Sequence, residues 1–381
     1  MKKTTWILLY LLLSGIGRLQ AQYTIEDSIY AFGQYRYYRV YIPAAYDGSE
    51  AVPLLLNLHG YSSDNFGQAL YANFNPIADT AGFITVLPNG TFDIFGFRFW
   101  NVFVAPGSGV DDVAFLSALI DTMAAEYSID LNRVYSTGMS NGGFMSHALA
   151  CELSEKIAAI ASVTGTIDKD RLPYCNPTHN IPVMQIHGTE DPTVPYNGNA
   201  EFHSVDSVIN FWKAFNHTDI EADFTAVPDI VTTDNCTAEH YVYENGWAGS
   251  TIEHYKIIGG EHTWPGTAIT FLGVTNQDIN ACKEIWRFLS QYRLDALTSV
   301  DDRPTYSDIQ VYPNPVSTQL FIQTALTDAH ITLTDLSGRV WVSENFLTNS
   351  IRIPVADLPA GMYVVQIESS GMREEQMLVK M

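Results

Sequence analysis

The chain has 381 residues and is strongly acidic, with 42 Asp and Glu against 20 Lys and Arg and a net charge of −22 at pH 7. Apolar residues make up 46% of it, which excludes a disordered protein, because disordered chains are poor in apolar residues. The deficit of basic residues argues against nucleic-acid binding, which requires positive charge to neutralise phosphates. We therefore expect no nucleic-acid partner and a neutral substrate.

The first 21 residues are typical of a secretory signal peptide. Lys2 and Lys3 supply the basic start, an apolar run extends from Trp6 to Leu13, and Ala21 closes a small-residue cleavage site. The alternative is a membrane anchor, but the apolar run is well short of the roughly 20 residues that cross a bilayer as a helix. We therefore expect this segment to be removed on export.

Strand and helix patterns alternate between residues 22 and 296, which we assign to one domain. Apolar strand patterns occupy residues 52–58, 83–87, 133–137, 157–163 and 181–187, and helical patterns occupy residues 75–82, 110–127, 141–152 and 279–292. This alternation predicts an α/β fold with a mostly parallel sheet covered on both faces. Functional groups of such sheets lie at the C-terminal ends of the strands.

A candidate nucleophile lies at one of these strand ends. The segment Gly138-Met139-Ser140-Asn141-Gly142 follows a predicted strand and opens a predicted helix. This G-x-S-x-G pattern, in that context, is typical of the strained turn that exposes a serine in α/β hydrolases. The alternative is a glycine-rich turn in which Ser140 only caps the helix.

A serine hydroxyl needs a base, and in this fold the order along the chain is Ser, then an acid, then His. Asp191 follows the predicted strand 181–187 in a loop bounded by Gly188 and Pro192. Glu190 is the rival acid, but the Asp-Pro turn favours Asp191. The alternative role for Asp191 is turn initiation alone.

The candidate base is one of six histidines after Asp191, namely His203, His217, His240, His254, His262 and His330. His330 lies in the C-terminal segment, and we expect His254 to lie on the surface of a strand. His262 follows the strand pattern 253–258 in a loop, the position from which a base reaches the serine. We therefore predict Ser140, Asp191 and His262 as a catalytic triad.

Hydrolysis through a serine also needs two donors for the oxyanion. In this fold they are the backbone N–H after the nucleophile, here Asn141, and one from the loop after the third strand, here Tyr61. His59 in the same loop precedes the serine and has no ligand partner, so we expect it to be structural.

Aromatic residues near these loops are candidates for substrate binding, with Phe99, Trp100 and Trp264 as the main ones. Packing of the loops is an equally good explanation for them. The segment 92–103 is unusually aromatic, and we predict that it forms one wall of the pocket. Asp111 and Asp112 are expected to cap the following helix.

The chain has four cysteines, and export makes disulfides the expected state. Sequence proximity favours the pairs Cys151–Cys175 and Cys236–Cys282. The spacing of cysteine and histidine does not suggest a metal site, and the chemistry above requires no cofactor.

The C-terminal segment has a different pattern. After a predicted linker at residues 297–308, short alternating strands with Gly, Pro and Asn turns predict a small all-β sandwich over residues 309–381. This segment resembles the C-terminal sorting domain of the Bacteroidetes type IX secretion system in four motifs, at residues 311–315, 335–339, 358–363 and 379–381. The resemblance implies export across the outer membrane by that machinery. The alternative is a glycan-binding or immunoglobulin-like module.

Residues 35–292 resemble the polyhydroxybutyrate depolymerase and feruloyl/acetylxylan esterase group, carbohydrate esterase family 1 in the broad sense. The motifs that carry the resemblance are Leu58-His59-Gly60, Trp100-Asn101 and residues 110–113, 132–135, 138–143, 150–154, 187–192, 194–196 and 260–266. The resemblance implies the same triad and oxyanion hole, and a polysaccharide ester or polyester substrate. Several depolymerases carry Cys where Tyr61 stands, a departure that leaves a backbone donor in place.

These observations predict a secreted, monomeric carboxylic ester hydrolase. Two alternatives remain open: a serine peptidase on the same fold, and an inactive glycan-binding surface protein. The first would be expected to carry a large additional domain ahead of the catalytic one, and the second has no need of a complete triad.

Overall fold

The structure is a computed structural model that describes residues 22–102, 109–298, 309–323, 329–346, 350–369 and 372–381. The predicted signal peptide and most of the predicted linker lie outside these ranges. Within them, no helix is both long enough and apolar enough to cross a membrane.

A mixed sheet of ten strands forms the centre of the first domain. Its strands are β1 (Tyr23–Ala31), β2 (Gln34–Ile42), β3 (Val52–Leu58), β4 (Ile84–Pro88), β7 (Ile129–Met139), β8 (Ala159–Val163), β9 (Val183–Gly188), β10 (Asp223–Ala226), β11 (Thr237–Tyr243) and β12 (Ile252–Ile258). A separate short hairpin contains β5 (Thr91–Phe92) and β6 (Arg98–Phe99). The order in the large sheet is β1-β2-β4-β3-β7-β8-β9-β12-β11-β10.

The six inner strands, from β4 to β12 in that order, are parallel, and antiparallel pairs extend the sheet at both edges. Strands β4, β8 and β9 are buried at every residue. Such continuous apolar runs are expected where helices cover both faces of a parallel sheet. The predicted α/β fold with a mostly parallel sheet is thus confirmed.

The helices of this domain are α1 (Asn65–Tyr71), α2 (Asn75–Ala81), α3 (Asp112–Glu126), α4 (Asn141–Glu152), α5 (Val205–Asn216), α6 (Ala281–Leu289) and α7 (Leu294–Leu297). Side-chain caps start four of them, because the oxygens of Asp64, Asp111, Ser204 and Asn280 accept a backbone N–H of the first turn. Leu297, the first residue of the predicted linker, is the last residue of α7.

The C-terminal segment contains two small antiparallel sheets. One consists of β13 (Gln310–Tyr312), β14 (Gln319–Gln323) and β17 (Ser350–Pro354), and the other of β15 (Ala329–Asp335), β16 (Val340–Phe346), β18 (Gly361–Ser369) and β19 (Met372–Lys380). Leu320 and Ile353 of the first sheet share one buried cluster with Leu333 and Val365 of the second. The two sheets therefore pack as a sandwich with a core of their own.

The four cysteines form one disulfide rather than two. Cys151 at the end of α4 is bonded to Cys175. Cys236 and Cys282 are free and buried, so the expected second pair is wrong. Both thiols lie among apolar side chains of one cluster, where burial alone accounts for a cysteine.

Candidate active site

Loops after four of the six parallel strands carry the predicted functional residues to one edge of the sheet. Tyr61 follows β3, Ser140 follows β7, Asp191 follows β9 and His262 follows β12. Because these strands run in the same direction, their carboxyl ends meet at that edge. The topology therefore gathers residues that are up to 201 positions apart in the sequence.

Ser140 has a strained backbone between β7 and α4. Its φ of 54° and ψ of −119° lie outside the regions that side-chain-bearing residues favour. Two hydrogen bonds hold this conformation, one from Ser140 N to Val163 O at 2.8 Å and one from Phe144 N to Ser140 O at 2.9 Å. The turn is the geometry expected of a nucleophile elbow.

The glycines around Ser140 allow β3 and α4 to approach closely. A Cβ atom on Gly142 would lie 2.2 Å from the carbonyl oxygen of Leu58, and one on Gly138 would lie 2.5 Å from the backbone of Gly142. The G-x-S-x-G pattern is therefore a packing requirement of this turn, since any larger residue would push the helix away from the strand.

Asp191 and His262 are in direct contact. His262 Nδ1 lies 2.7 Å from Asp191 Oδ2. The other carboxylate oxygen, Oδ1, accepts the backbone N–H groups of Thr193 and Val194, both at 2.8 Å. The carboxylate is thus fixed in a tight turn and presents a single oxygen to the imidazole.

The electrostatic environment keeps Asp191 ionised. Burial by itself would raise the pKa of its carboxyl group, but hydrogen bonds from His187 and His262 outweigh burial and hold the pKa well below its usual range. An ionised Asp191 accepts the Nδ1–H of His262, which leaves Nε2 of the ring as the basic atom.

The rival acid and the other candidate bases lie elsewhere. Glu190 is exposed. His217 stacks on Trp247, His240 contacts Glu253, and His330 bonds Asn345 in the C-terminal sandwich. His203 does not line the cavity around Ser140 within the described ranges.

His254 is buried, against the expectation of a surface position. The reason is that β12 lies inside the sheet, between β9 and β11, rather than at its edge.

The two predicted oxyanion donors are backbone groups next to Ser140. Tyr61 lines the same cavity as Ser140, and Asn141 is the first residue of α4. Among the described residues, neither N–H has a hydrogen-bond acceptor. Unpaired N–H groups on loops at this cavity would be available to an oxyanion.

The Asn141 side chain ties the elbow to the loop after β6. Its Oδ1 accepts the N–H of Trp100 at 2.6 Å, and its Nδ2 donates to the carbonyl of Trp100 at 3.1 Å. The Trp100 indole N–H in turn donates to His59 O at 3.0 Å. Trp100 therefore braces both loops that carry the predicted oxyanion donors.

His59 is wholly buried and supports the same loops. Its Nε2 accepts the N–H of Gly90 at 2.9 Å, and its Nδ1 donates to Gly60 O at 2.7 Å. Burial lowers the pKa of His59 to about 4, so the ring is neutral. These contacts agree with the structural role expected of it.

A cavity of about 510 Å³ opens at this edge of the sheet. Ser140 and His262 line it together with Met139, Glu261 and an apolar set consisting of Tyr61, Leu70, Tyr71, Ile269, Phe271 and Leu272. Phe271 is 84% exposed and Leu272 is 58% exposed, which is unusual for large apolar side chains. The cavity thus joins the candidate nucleophile and base to an apolar wall.

The predicted substrate contacts are not in this wall. Phe99, Trp100 and Trp264 are buried and do not line the cavity, so they pack the loops instead. No described residue of the segment 92–103 lines it either, and Phe103 lies outside the described residues. The prediction failed because residues 93–97 turn back as the tip of the β5–β6 hairpin.

Apart from Tyr61 in the loop after β3, the residues that form the wall lie on α1 and on the loop after His262. Sequence analysis missed them, although the run Ile269-Thr270-Phe271-Leu272 is an apolar stretch within a loop and could have indicated a binding surface.

Asp111 and Asp112 have different roles. Asp111 Oδ1 accepts the N–H of Ala114 at 2.8 Å and so caps α3. Asp112 is the first residue of that helix and forms a buried ion pair with Arg36 at 2.6 Å. In the described part of the chain, no three His, Cys, Asp or Glu side chains are grouped closely enough to hold a metal ion.

The sheet order, the elbow at Ser140 and the later Asp and His loops define an α/β hydrolase. The solved structure of an acetyl xylan esterase from Aspergillus awamori has the same fold, with a TM-score of 0.51 over 70% of this chain and 99% of that chain at 14% identity. Residues 36–194 match the family model described as Esterase PHB depolymerase. Residues 310–381 match the model described as Secretion system C-terminal sorting domain.

Two relatives illustrate the sequence similarity. The bifunctional acetylxylan esterase/xylanase XynS20E of Neocallimastix patriciarum is 30% identical over 280 residues, which is 72% of this chain and 36% of that protein. Feruloyl esterase B of Piromyces equi is 30% identical over 234 residues, which is 58% of this chain and 42% of that protein. The chain therefore spans less than half the length of either relative.

Both resemblances noted in the sequence are confirmed by these matches. The matched esterase segment and the matched sorting segment follow one another along the chain. The sorting domain also confirms the predicted export from the cell.

Proposed function

We propose that the protein is a secreted serine esterase that hydrolyses carboxylic esters of a polymer through Ser140, His262 and Asp191. The observation that carries the proposal is the Asp191–His262 contact of 2.7 Å at the mouth of a cavity that Ser140 also lines.

The reaction begins with His262 Nε2 as general base. It takes the proton of the Ser140 hydroxyl as the oxygen attacks the ester carbonyl. The backbone N–H groups of Tyr61 and Asn141 stabilise the oxyanion that forms. The imidazolium then protonates the leaving alcohol, and water, activated in the same way, hydrolyses the acyl-enzyme to release the acid and regenerate Ser140.

Asp191 stabilises the imidazolium that forms in each half of the cycle. It also fixes the ring so that Nε2 faces the nucleophile, because Oδ2 accepts the hydrogen bond from Nδ1. The chemistry is complete with the side chains and backbone groups of this chain.

The substrate we propose is a neutral ester with an apolar group next to the carbonyl. The aromatic and aliphatic wall of the cavity suits a feruloyl group or a hydroxyalkanoate chain, and a cavity of about 510 Å³ is much larger than an acetyl group requires. The name of one relative, feruloyl esterase, supports a large apolar acyl group, whereas the name of the other, acetylxylan esterase, supports an acetyl ester. Initial rates on methyl ferulate, polyhydroxybutyrate and acetylated xylan would rank the three candidates.

The test of the proposal is hydrolysis of p-nitrophenyl acetate and p-nitrophenyl butyrate by the wild type and by Ser140→Ala. We expect the variant to lose activity by several orders of magnitude, on the order of 10⁶-fold for loss of a serine nucleophile. Equal turnover by both proteins would reject the esterase assignment. Cleavage of peptides but not of esters would favour a serine peptidase instead.

A further inference from the structure

A line of buried polar side chains leads from helix α5 past α4 and along one face of β9 to the loop that carries Asp191. Its members are Trp212, His147, Gln185 and His187, and each of them is at most 1% exposed. Buried polar groups cost free energy unless they are hydrogen-bonded, so a continuous line of them requires a reason.

Along this line each side chain donates a hydrogen bond to the next one, starting from Trp212. Trp212 Nε1 can only donate, and it lies 3.2 Å from His147 Nδ1. His147 therefore carries its proton on Nε2, which lies 3.2 Å from Gln185 Oε1. Burial lowers the pKa of His147 to about 4, so its ring is neutral, as this arrangement demands.

The amide of Gln185 determines which ring nitrogen of His187 carries the proton. Its Nε2 donates to the carbonyl of Gly165 at 2.8 Å and to His187 Nδ1 at 3.1 Å. The Gly165 contact independently fixes which end of the amide is the donor. Because Nδ1 of His187 accepts, the proton of this ring lies on Nε2.

That proton faces the turn that holds Asp191. His187 Nε2 lies 2.8 Å from the carbonyl of Val194, to which it donates, and 3.4 Å from Asp191 Oδ2. The N–H of Val194 in turn donates to Asp191 Oδ1 at 2.8 Å. His187 thus fixes the end of the turn at Val194. The dipole of its Nε2–H group also faces Asp191 Oδ2, the oxygen that contacts His262.

We propose that His187 is a positioning residue for the Asp191–His262 pair, held in its Nε2–H tautomer by the line from Trp212. It acts through Asp191 and does not line the cavity among the described residues. The inference rests on the proposed function, since it assigns a role in setting the geometry of that triad. Misplacement of a catalytic group by about 1 Å can reduce turnover by on the order of 10²-fold.

The test compares His187→Leu with His187→Gln, whose side-chain amide can keep a donor near the Nε2 position. His179→Leu is the matched control, because His179 is also buried in this domain and, among the described residues, its ring lies within hydrogen-bond distance of Asn180 O and Ser154 O rather than of the Asp191 turn. For p-nitrophenyl acetate we expect His187→Leu to lower kcat by on the order of 10²-fold with little change in KM. His187→Gln should restore most of that loss, and His179→Leu should retain wild-type kcat.

The assay separates this inference from the proposed function. If Ser140→Ala is as active as the wild type, the esterase mechanism itself fails. If Ser140→Ala is inactive but His187→Leu retains wild-type kcat, or loses no more than His179→Leu does, only the role of His187 is overturned.

A measurement on the wild type covers the case in which His187→Leu does not fold. The ¹⁵N chemical shifts of the His187 ring report its tautomer directly. We expect a protonated Nε2 and an unprotonated Nδ1. A proton on Nδ1 would overturn the proposed line of hydrogen bonds.

Discussion

At the scale of single residues, the candidate site depends on the hydrogen bonds that stabilise the buried charge of Asp191. Asp191 is 5% exposed, yet its carboxylate accepts two backbone N–H groups and the Nδ1–H of His262. These donors offset the cost of burying a charge. A buried acid with such partners should therefore make the stability of the fold depend on pH.

The sign of that dependence follows from the direction of the pKa shift. The pKa of Asp191 is lowered in the folded protein, so the unfolded chain binds more protons in acid. The ionised carboxylate contributes its full stabilisation above the pKa of Asp in the unfolded chain, which is about 3.9. That stabilisation is lost as the pH falls from there toward the lower pKa of Asp191 in the folded protein.

We predict that the free energy of unfolding of the wild type, relative to Asp191→Asn, rises between about pH 3 and pH 5. Urea denaturation at several pH values measures both free energies of unfolding. Their difference removes the contribution of the other carboxylates, which the two proteins share. A relative stability that falls over this range would contradict the assignment of Asp191.

At the scale of secondary structure elements, the approach of α4 to β3 positions Ser140, the proposed nucleophile. Gly142→Ala would place a methyl group 2.2 Å from Leu58 O, so the helix must move. We expect a loss of stability of about 1–3 kcal/mol or more, as for other overpacked sites. Thermal unfolding measures it, and activity should fall as well because Ser140 moves with the helix.

The control for this prediction is Gly60→Ala in the neighbouring loop. Its Cβ would meet Met139 O at 3.4 Å, an ordinary contact. Its thermal midpoint should stay close to that of the wild type. If Gly142→Ala unfolds at the same temperature as Gly60→Ala, the close packing of β3 and α4 is not what holds the elbow.

The strands and helices near the site could be predicted from the sequence because each has a local signal. The helix at residues 141–152 was predicted with the bounds that the structure has, and α3 begins two residues after the predicted start. The strand ends then placed Ser140, Asp191 and His262 at one edge of the sheet, because parallel topology follows from the βα alternation.

The cavity wall could not be predicted in the same way, because it depends on the path of loops. Trp100 and Phe271 are both aromatic loop residues, yet Trp100 is fully buried and Phe271 is 84% exposed. Composition does not distinguish them. Likewise, the free state of Cys236 and Cys282 depends on tertiary placement, which the distance between them in sequence does not reveal.

At the scale of the whole molecule, the chain divides into a candidate esterase domain and a C-terminal sorting domain. The sorting domain has a core of its own, and its Leu336 and Val364 also join the main buried cluster of the first domain. The proposed nucleophile, the proposed base and the cavity all lie within the first domain. Transport and chemistry should therefore be separable.

We predict that deletion of residues 309–381 leaves the protein in the periplasm, with its hydrolysis of p-nitrophenyl acetate retained. Cell fractionation followed by immunoblotting and an esterase assay of each fraction measures both. The full-length chain, recovered outside the outer membrane, is the control. Export of the truncated chain at the wild-type level would reject the role of the tail.

The central claim is that Ser140 is the nucleophile, and covalent labelling tests it most directly. A fluorophosphonate should modify the wild type once, and peptide mass spectrometry should place the adduct on Ser140, since such reagents react with activated serines. Ser140→Ala should remain unlabelled under the same conditions. A label on another residue, or equal labelling of Ser140→Ala, would contradict the account.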